Sequence, residues 1–289
     1  MTMAGQGTAV DIEIVRLPDA PPSQRATSTD GRIVYAVGDI HGCYPQLSAL
    51  LEAIVADVEA ADVAVPPLLV FCGDYVDRGP ETANVVTALI WLARHAALDV
   101  VFLRGNHEVM LLDFIDQPEE SLAWLRRDGK ATLTSYGVRF SDIAPDAYDE
   151  ECFRLRDRLM DKMPASHLEF LRGLPVTHVC GDYVFVHAGM KPGVPIARQD
   201  DEDCLWIGKE FLTSDYRFEK VVVHGHSWSS VEPVVLPNRI GIDTGAYATG
   251  ALSAVRLDGR RIGFLQARSP DDAAAGSAPR GPKISPGGL

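Results

Sequence analysis

An α/β fold with a strand-rich C-terminal half is what this 289-residue chain predicts, and three observations predict it. Short apolar runs at Arg32–Val37, Pro67–Cys72 and Asp99–Arg104 are separated by segments of helical periodicity. That alternation implies parallel strands joined by right-handed crossovers. Beyond residue 180 strand-like runs dominate. A hydrophobic content of 46% supports a real core in one large domain or two small ones.

Residues 1–29 are rich in Pro, Ala, Ser and Thr, and residues 268–289 are polar and of low complexity. Both ends are expected to be disordered tails around a folded domain of residues 30–267. After the first strand, Pro45 suits a first helical turn, and Leu47, Leu50, Leu51, Ile54, Val55 and Val58 follow helical spacing. After the second, Pro80 and Glu81 open a helix carrying Val85, Leu89, Leu92 and Ala96 on one face. From Glu108 to about Gly173 the chain reads as helical and charged, with Trp124, Tyr136 and Phe153 interspersed. Strands are then expected at Tyr183–Val186, Lys220–Val223, Arg239–Asp243, Ala251–Leu257 and Arg261–Gln266, the last two joined by an Asp258-Gly259 hairpin signal.

Composition removes several functional classes. No apolar run reaches the roughly 18 residues of a membrane span. The N-terminus lacks the basic start and apolar stretch of a secretory signal. Five cysteines (43, 72, 152, 180 and 204) read as reduced thiols rather than a disulfide framework, with Cys72 and Cys180 as packing residues, so a cytoplasmic protein is expected. A net charge of −13 without a basic stripe argues against nucleic acid as partner. Arg78 and Arg104 nevertheless lie close in sequence to the polar motifs described next, so local charge can differ.

Polar motifs follow the apolar runs: Gly38-Asp39-Ile40-His41-Gly42, Gly73-Asp74-Tyr75-Val76-Asp77-Arg78-Gly79 and Gly105-Asn106-His107-Glu108. Val186-His187-Ala188-Gly189 and Val223-His224-Gly225-His226 come later, again at the ends of apolar runs. Strand ends form the rim on which open α/β sheets collect ligands. Asp, His and Asn supply ligands for hard or borderline cations, and Arg supplies a fork for phosphate. Asp39 and His41, two apart, share one side of an extended segment. Asp74, with two carboxylate oxygens, is the natural bridge between two cations, and Asn106, His187 and His226 can complete a second site. Singly, each residue has an ordinary role available, such as Asp39 capping a turn or His187 filling a core. The ordered set of five does not.

This order of motifs resembles the metallophosphoesterases, and within them the bacterial phosphoprotein phosphatases that act on serine and threonine phosphoesters, over about Arg32 to Gln266. The resemblance implies two mixed β-sheets packed face to face with flanking helices. It implies two divalent metal ions, manganese foremost, with iron, zinc or magnesium as alternatives. Asp39, His41 and Asp74 would hold the first, and Asp74, Asn106, His187 and His226 the second. His107 would be the general acid for the leaving oxygen, oriented by Asp77. Arg78 would grip the phosphate, with Asn106 and His107 beside it. The implied reaction is hydrolysis of a phosphoprotein or small phosphoester by direct attack of a metal-bound hydroxide. Diadenosine-polyphosphate hydrolases of the same superfamily usually alter the Asp-Arg half of the second motif, so they are the alternative enzyme. A non-catalytic phosphate-binding module is the alternative outside enzymes.

His224 is read as a neighbour of the metal site rather than a ligand, and His95, His167 and His178 as surface or packing residues. Asn238 to Ala246 reads as a supporting strand. One departure stands out: the segment Leu205-Trp206-Ile207-Gly208-Lys209 has Gly208 where the relatives carry a second phosphate-binding arginine. Lys209 could replace it only as a point charge.

Overall fold

The computed structural model describes residues 12–23, 25–61, 65–139 and 148–269. Strands β1 (Glu13–Ala20), β2 (Val34–Val37), β3 (Leu68–Phe71), β4 (Asp99–Phe102), β10 (Ala251–Asp258) and β11 (Arg261–Arg268) form a six-stranded sheet in the order β1-β11-β10-β2-β3-β4. Strands β5 (Thr177–Cys180), β6 (Tyr183–Val186), β7 (Val221–His224), β8 (Val234–Val235) and β9 (Arg239–Gly241) form a five-stranded sheet in the order β5-β6-β7-β9-β8. The expected parallel crossovers are present: β2, β3 and β4 run parallel, as do β6, β7 and β9.

Side-chain alternation explains why β2 and β3 are apolar throughout. Val34, Ala36, Leu68 and Val70 face the second sheet and pack with Phe185, Val223, Ile240 and Val255. Tyr35, Val37, Leu69 and Phe71 point the other way, onto Leu47, Leu50 and Ile54 of helix α1 (Tyr44–Ala60) and Val85 and Leu89 of α2 (Thr82–His95). A strand covered on both faces has no polar side to show. The helical stretch divides into α3 (Asn106–Asp116), α4 (Leu122–Arg127), α5 (Gly129–Ser135), α6 (Tyr148–Lys162) and α7 (Ala165–Arg172), and adds Phe114, Trp124, Leu133, Leu155 and Leu171 to that core. On the far face of the second sheet, Val184, Val186 and Val222 pack against Cys204, Ile207 and Phe211, which α8 (Asp201–Trp206), α9 (Lys209–Leu212) and the link between them supply. The result is the face-to-face sandwich with outer helices that the resemblance implied.

The N-terminal expectation is corrected. Residues 13–20 are not a tail but an edge strand, antiparallel to β11, with the register shifting between Leu17 and Ala20. Its mixed burial and Pro18 hide it from hydrophobic periodicity, and an edge strand tolerates both. Arg16 pairs with Asp57 of α1, and the Thr27 and Ser28 amides donate to Asp182 at 2.8 and 2.9 Å. At the other end β11 runs on through Arg268, and the remainder of the expected C-terminal tail, from residue 270, lies outside the described residues. The hairpin falls one residue later than its signal, because Asp258 pairs with Arg261 around Gly259 and Arg260. All five cysteines are buried, and none is in a disulfide. Among the described residues no helix is long and apolar enough to cross a membrane.

Removing residues 1–20 strips the open edge of β11 and takes Arg16 from Asp57. The truncated protein is expected to lose about 1–2 kcal/mol of stability, lowering its melting midpoint by about 2–8 °C. A midpoint unchanged by the truncation would return this segment to the status of a tail.

Candidate metal centre and active site

Five of the six non-glycine residues with positive φ among the described residues belong to the predicted site: His41, Asp74, Asp77, Arg78 and His226. Such backbone is costly for L-residues and persists only where surroundings over-determine it. Here the loops lace one another. The amides of Ile40 and His41 donate to the Asp74 carbonyl at 3.0 and 2.8 Å, and Gly79 donates to the His41 carbonyl at 2.9 Å. Fully buried Glu108 ties the second loop to the third. Its carboxylate accepts from the amides of Asp74 (2.8 Å), Tyr75 (2.7 Å) and Gly105 (2.8 Å). Gly73 is required where these loops meet, since a Cβ there would lie 2.6 Å from the Gly105 nitrogen.

Asp74 is the shared member of two clusters, His41–Asp74–His107 and Asp74–His187–His226. Its Oδ2 lies 3.3 Å from His41 Nε2, and its Oδ1 lies 3.4 Å from His187 Nε2. Burial lowers the pKa of both histidines, so each imidazole keeps one ring proton. The Nδ1 protons are committed, His41 donating to the Val76 carbonyl and His187 to the Cys72 carbonyl, each at 2.8 Å. Both Nε2 atoms therefore aim lone pairs at carboxylate oxygens. Around His187 the mismatch grows. Its Nε2 lies 2.8 Å from Asn106 Oδ1 and 3.1 Å from His226 Nδ1. Acceptors converging on acceptors are unfavourable alone and suit divalent cations, so the donor set fits the two expected ions.

Asp39 is the remaining ligand expected for the first ion. It is buried beside the clusters, but both of its oxygens accept the His226 amide at 3.0 Å, and His107 completes the compact group with His41 and Asp74. Gly225 makes this seat possible, because a Cβ there would lie 2.1 Å from Asp39 Oδ1. Burial and the charges of Asp243 and Asp74 raise the Asp39 pKa well above the ordinary value. Asp243 is likewise raised, first by burial. Sequence reading treated Asp243 as part of a supporting strand; the structure makes it a further acid at the centre.

Next to the centre His107 and Asp77 form a hydrogen-bonded pair. His107 Nδ1 donates to Asp77 Oδ2 at 2.7 Å. That carboxylate also accepts from Trp124 Nε1 (2.6 Å) and Thr132 Oγ1 (2.6 Å). Burial alone would lower the His107 pKa, but the Asp74 charge and the Asp77 bond outweigh it and raise it. Arg78 Nη2 donates to His107 Nε2 at 3.1 Å, and Arg78 Nε lies 3.7 Å from Asp128 Oδ1. Trp124 and Thr132 were missed as site residues. Both belong to the helical stretch far along the chain from Asp77, and no spacing links them to the motif. The one available signal was a tryptophan in a charged helical region.

The remaining polar residues sort themselves. His224 ends β7 with Nδ1 donating to the Gly225 carbonyl (3.0 Å) and Nε2 accepting from Arg239 (3.1 Å), so its ring is occupied away from the two clusters. Arg104 donates to the Arg172 carbonyl at 3.0 Å. His167 sits between Tyr136 (2.9 Å) and Thr87 (3.2 Å), and His95 stacks on Trp91. At Gly208 a Cβ would meet nothing within 4 Å, and Lys209 is exposed.

The chain matches the family model of the calcineurin-like phosphoesterases over residues 33–252. It is 32% identical to the symmetrical bis(5′-nucleosyl)-tetraphosphatase of Dechloromonas aromatica, over 79% of this chain and 94% of the relative. It is 26% identical to the enzyme of the same description from a Janthinobacterium species, over 78% and 93% of the two chains. A serine/threonine-protein phosphatase 1 of Salmonella typhimurium is 36% identical over 37% of this chain and 43% of its own. A solved structure assigned provisionally as a diadenosine tetraphosphatase shares the fold, with a TM-score of 0.54 at 22% identity, over 85% of this chain and 98% of the other. The matched span contains both histidine–carboxylate clusters and the Asp77–His107 pair, and by it this chain belongs to the calcineurin-like phosphoesterases.

Proposed function

We propose that this phosphoesterase hydrolyses bis(5′-nucleosyl) polyphosphates, using Arg78, His107 and Asp77 beside a two-cation centre. The observation that carries the choice of substrate is the 32% identity to a bis(5′-nucleosyl)-tetraphosphatase across 94% of that enzyme, against the partial match of the protein phosphatase. The order of preference from the motifs alone is thereby reversed. Hydrolysis of phosphoserine or phosphothreonine stays as a second reading, favoured by the Asp77–His107 pair at 2.7 Å. An alkoxide leaving group needs a proton far more than a nucleotide does, so a built general acid suits a phosphoester.

Cations held by Asp39, His41, Asp74, Asn106, His187 and His226 would polarise phosphoryl oxygens and supply an activated water. The protein's own groups do the rest. Arg78 donates its fork to two phosphoryl oxygens and, in moving onto them, releases His107 Nε2. Freed of that bond, His107 Nε2 takes up a proton from solvent, which its raised pKa favours, and passes it to the leaving oxygen. Asp77, held by Trp124 and Thr132, keeps the Nδ1 proton in place and the ring in one orientation.

Turnover on diadenosine tetraphosphate is expected to exceed that on a phosphoserine peptide in kcat/KM when both are assayed on the same metal-loaded sample. The reverse order would establish the second reading. A second prediction concerns the acid. His107→Asn is expected to cost about 10²–10⁴-fold on a phosphoserine peptide and much less on nitrophenyl phosphate, whose leaving group needs little protonation. Because the His107 pKa is raised, its acid form persists to higher pH than an ordinary imidazole. Peptide hydrolysis should therefore decline only on the alkaline side of that raised value, and this alkaline limb should vanish in His107→Asn. Equal losses on both substrates would remove His107 from the acid role.

A further inference from the structure

The Arg78 guanidinium is oriented by a residue that the motifs did not single out. Tyr247, in the short helix α10 (Ala246–Thr249), places its ring under the guanidinium carbon at 4.6 Å. The same ring meets His41 edge-on at 5.3 Å and Trp228 edge-on at 6.4 Å. Trp228 is itself fixed, since its indole fills the space that a Cβ on Gly245 would take, 2.6 Å away. Tyr247 is thus held from two sides, yet it is 38% exposed.

Arg78 begins from a left-handed backbone, with φ of 63° following 69° at Asp77. Its guanidinium has three contacts: the Tyr247 face, Asp128 on Nε and His107 on Nη2. A free arginine side chain loses rotamer entropy when it is ordered. A guanidinium ordered before substrate arrives avoids that loss at the moment of binding. This counts for more here, because Gly208 stands where a second arginine was expected and Lys209 is exposed.

We propose that Tyr247 is a positioning residue whose ring face holds the Arg78 guanidinium in the orientation that receives the phosphoryl oxygens. The inference rests on Arg78 as the phosphate-binding group. A planar cation on an aromatic face gains attraction without giving up its N–H donors, so the donor now on His107 can pass to a phosphoryl oxygen. Once His107 is released, Asp128 alone, at 3.7 Å from one nitrogen, would leave the plane free to turn. Tyr247 acts through the ring and not the hydroxyl.

The test uses full-length protein reloaded with the divalent cation that gives the highest turnover. Binding of inorganic phosphate is measured by calorimetry, and kcat and KM on nitrophenyl phosphate are measured alongside it. The variants are Tyr247→Phe, Tyr247→Leu, Arg78→Ala and the Arg78→Ala/Tyr247→Leu double. Tyr247→Leu is expected to weaken phosphate binding about 3–10-fold, with KM rising more than kcat falls. Tyr247→Phe should stay within about twofold of the parent, and Tyr247→Leu should add little in the Arg78→Ala background, because the two act as one unit. Fully additive losses, or equal losses for Phe and Leu, would overturn the positioning role. Loss of bound metal from Tyr247→Leu would also overturn it, by showing that the ring acts through His41. If Arg78→Ala leaves phosphate binding intact, the assignment of Arg78 fails instead.

Discussion

Asp74 joins the ends of three strands and divides its carboxylate between two groups of histidines. Its amide is bound by Glu108, its carbonyl accepts from Ile40 and His41, and its two oxygens face His41 and His187. Every loop that carries a proposed ligand from the first sheet is anchored at this residue or next to it. The positive φ of 55° at Asp74 is maintained by these bonds on all sides. Were the carboxylate to turn, the two clusters would lose their common member and the first and second loops their alignment.

The sandwich exists in part to make this arrangement affordable. Asp39, Asp74, Asp243 and Glu108 are all nearly inaccessible to water, and burying several carboxylates together is expensive without compensating charge. Neutral histidines do not supply it. Divalent cations would, and they would satisfy the lone pairs of His41 and His187 as well. The parallel strands of both sheets end at the same edge, so His187 after β6 and His226 after β7 meet ligands delivered by β2, β3 and β4. The His107–Asp77 pair needs a different support. Its Asp77 is held by Trp124 and Thr132, which come from the helical stretch next to the sandwich and not from a sheet.

What the sequence made legible follows the same physics. Strands covered on both faces are continuous apolar runs, and polar motifs closing those runs announce the rim, so β2, β3, β4, β6 and β7 and the residues after them could be read directly. The edge strand β1 could not, because half its residues face solvent and Pro18 interrupts it. Trp124, Thr132, Asp243 and Tyr247 were out of reach as site residues for another reason. Each acts through a contact made only after the chain has folded, and none sits at a fixed spacing from the motif it serves. Asp39 was recognised as a site residue, but its carboxylate is tied to the His226 amide, which no reading of the first motif alone could supply.

The bridging role of Asp74 is tested most directly by counting metal in the purified protein. Elemental analysis after exhaustive dialysis should find two divalent ions per chain in the parent, about one in His226→Asn, and close to none in Asp74→Asn. The variants must be folded by circular dichroism for the comparison to hold. Two tightly held ions in folded Asp74→Asn would contradict the account, because the clusters would then not depend on the carboxylate they share.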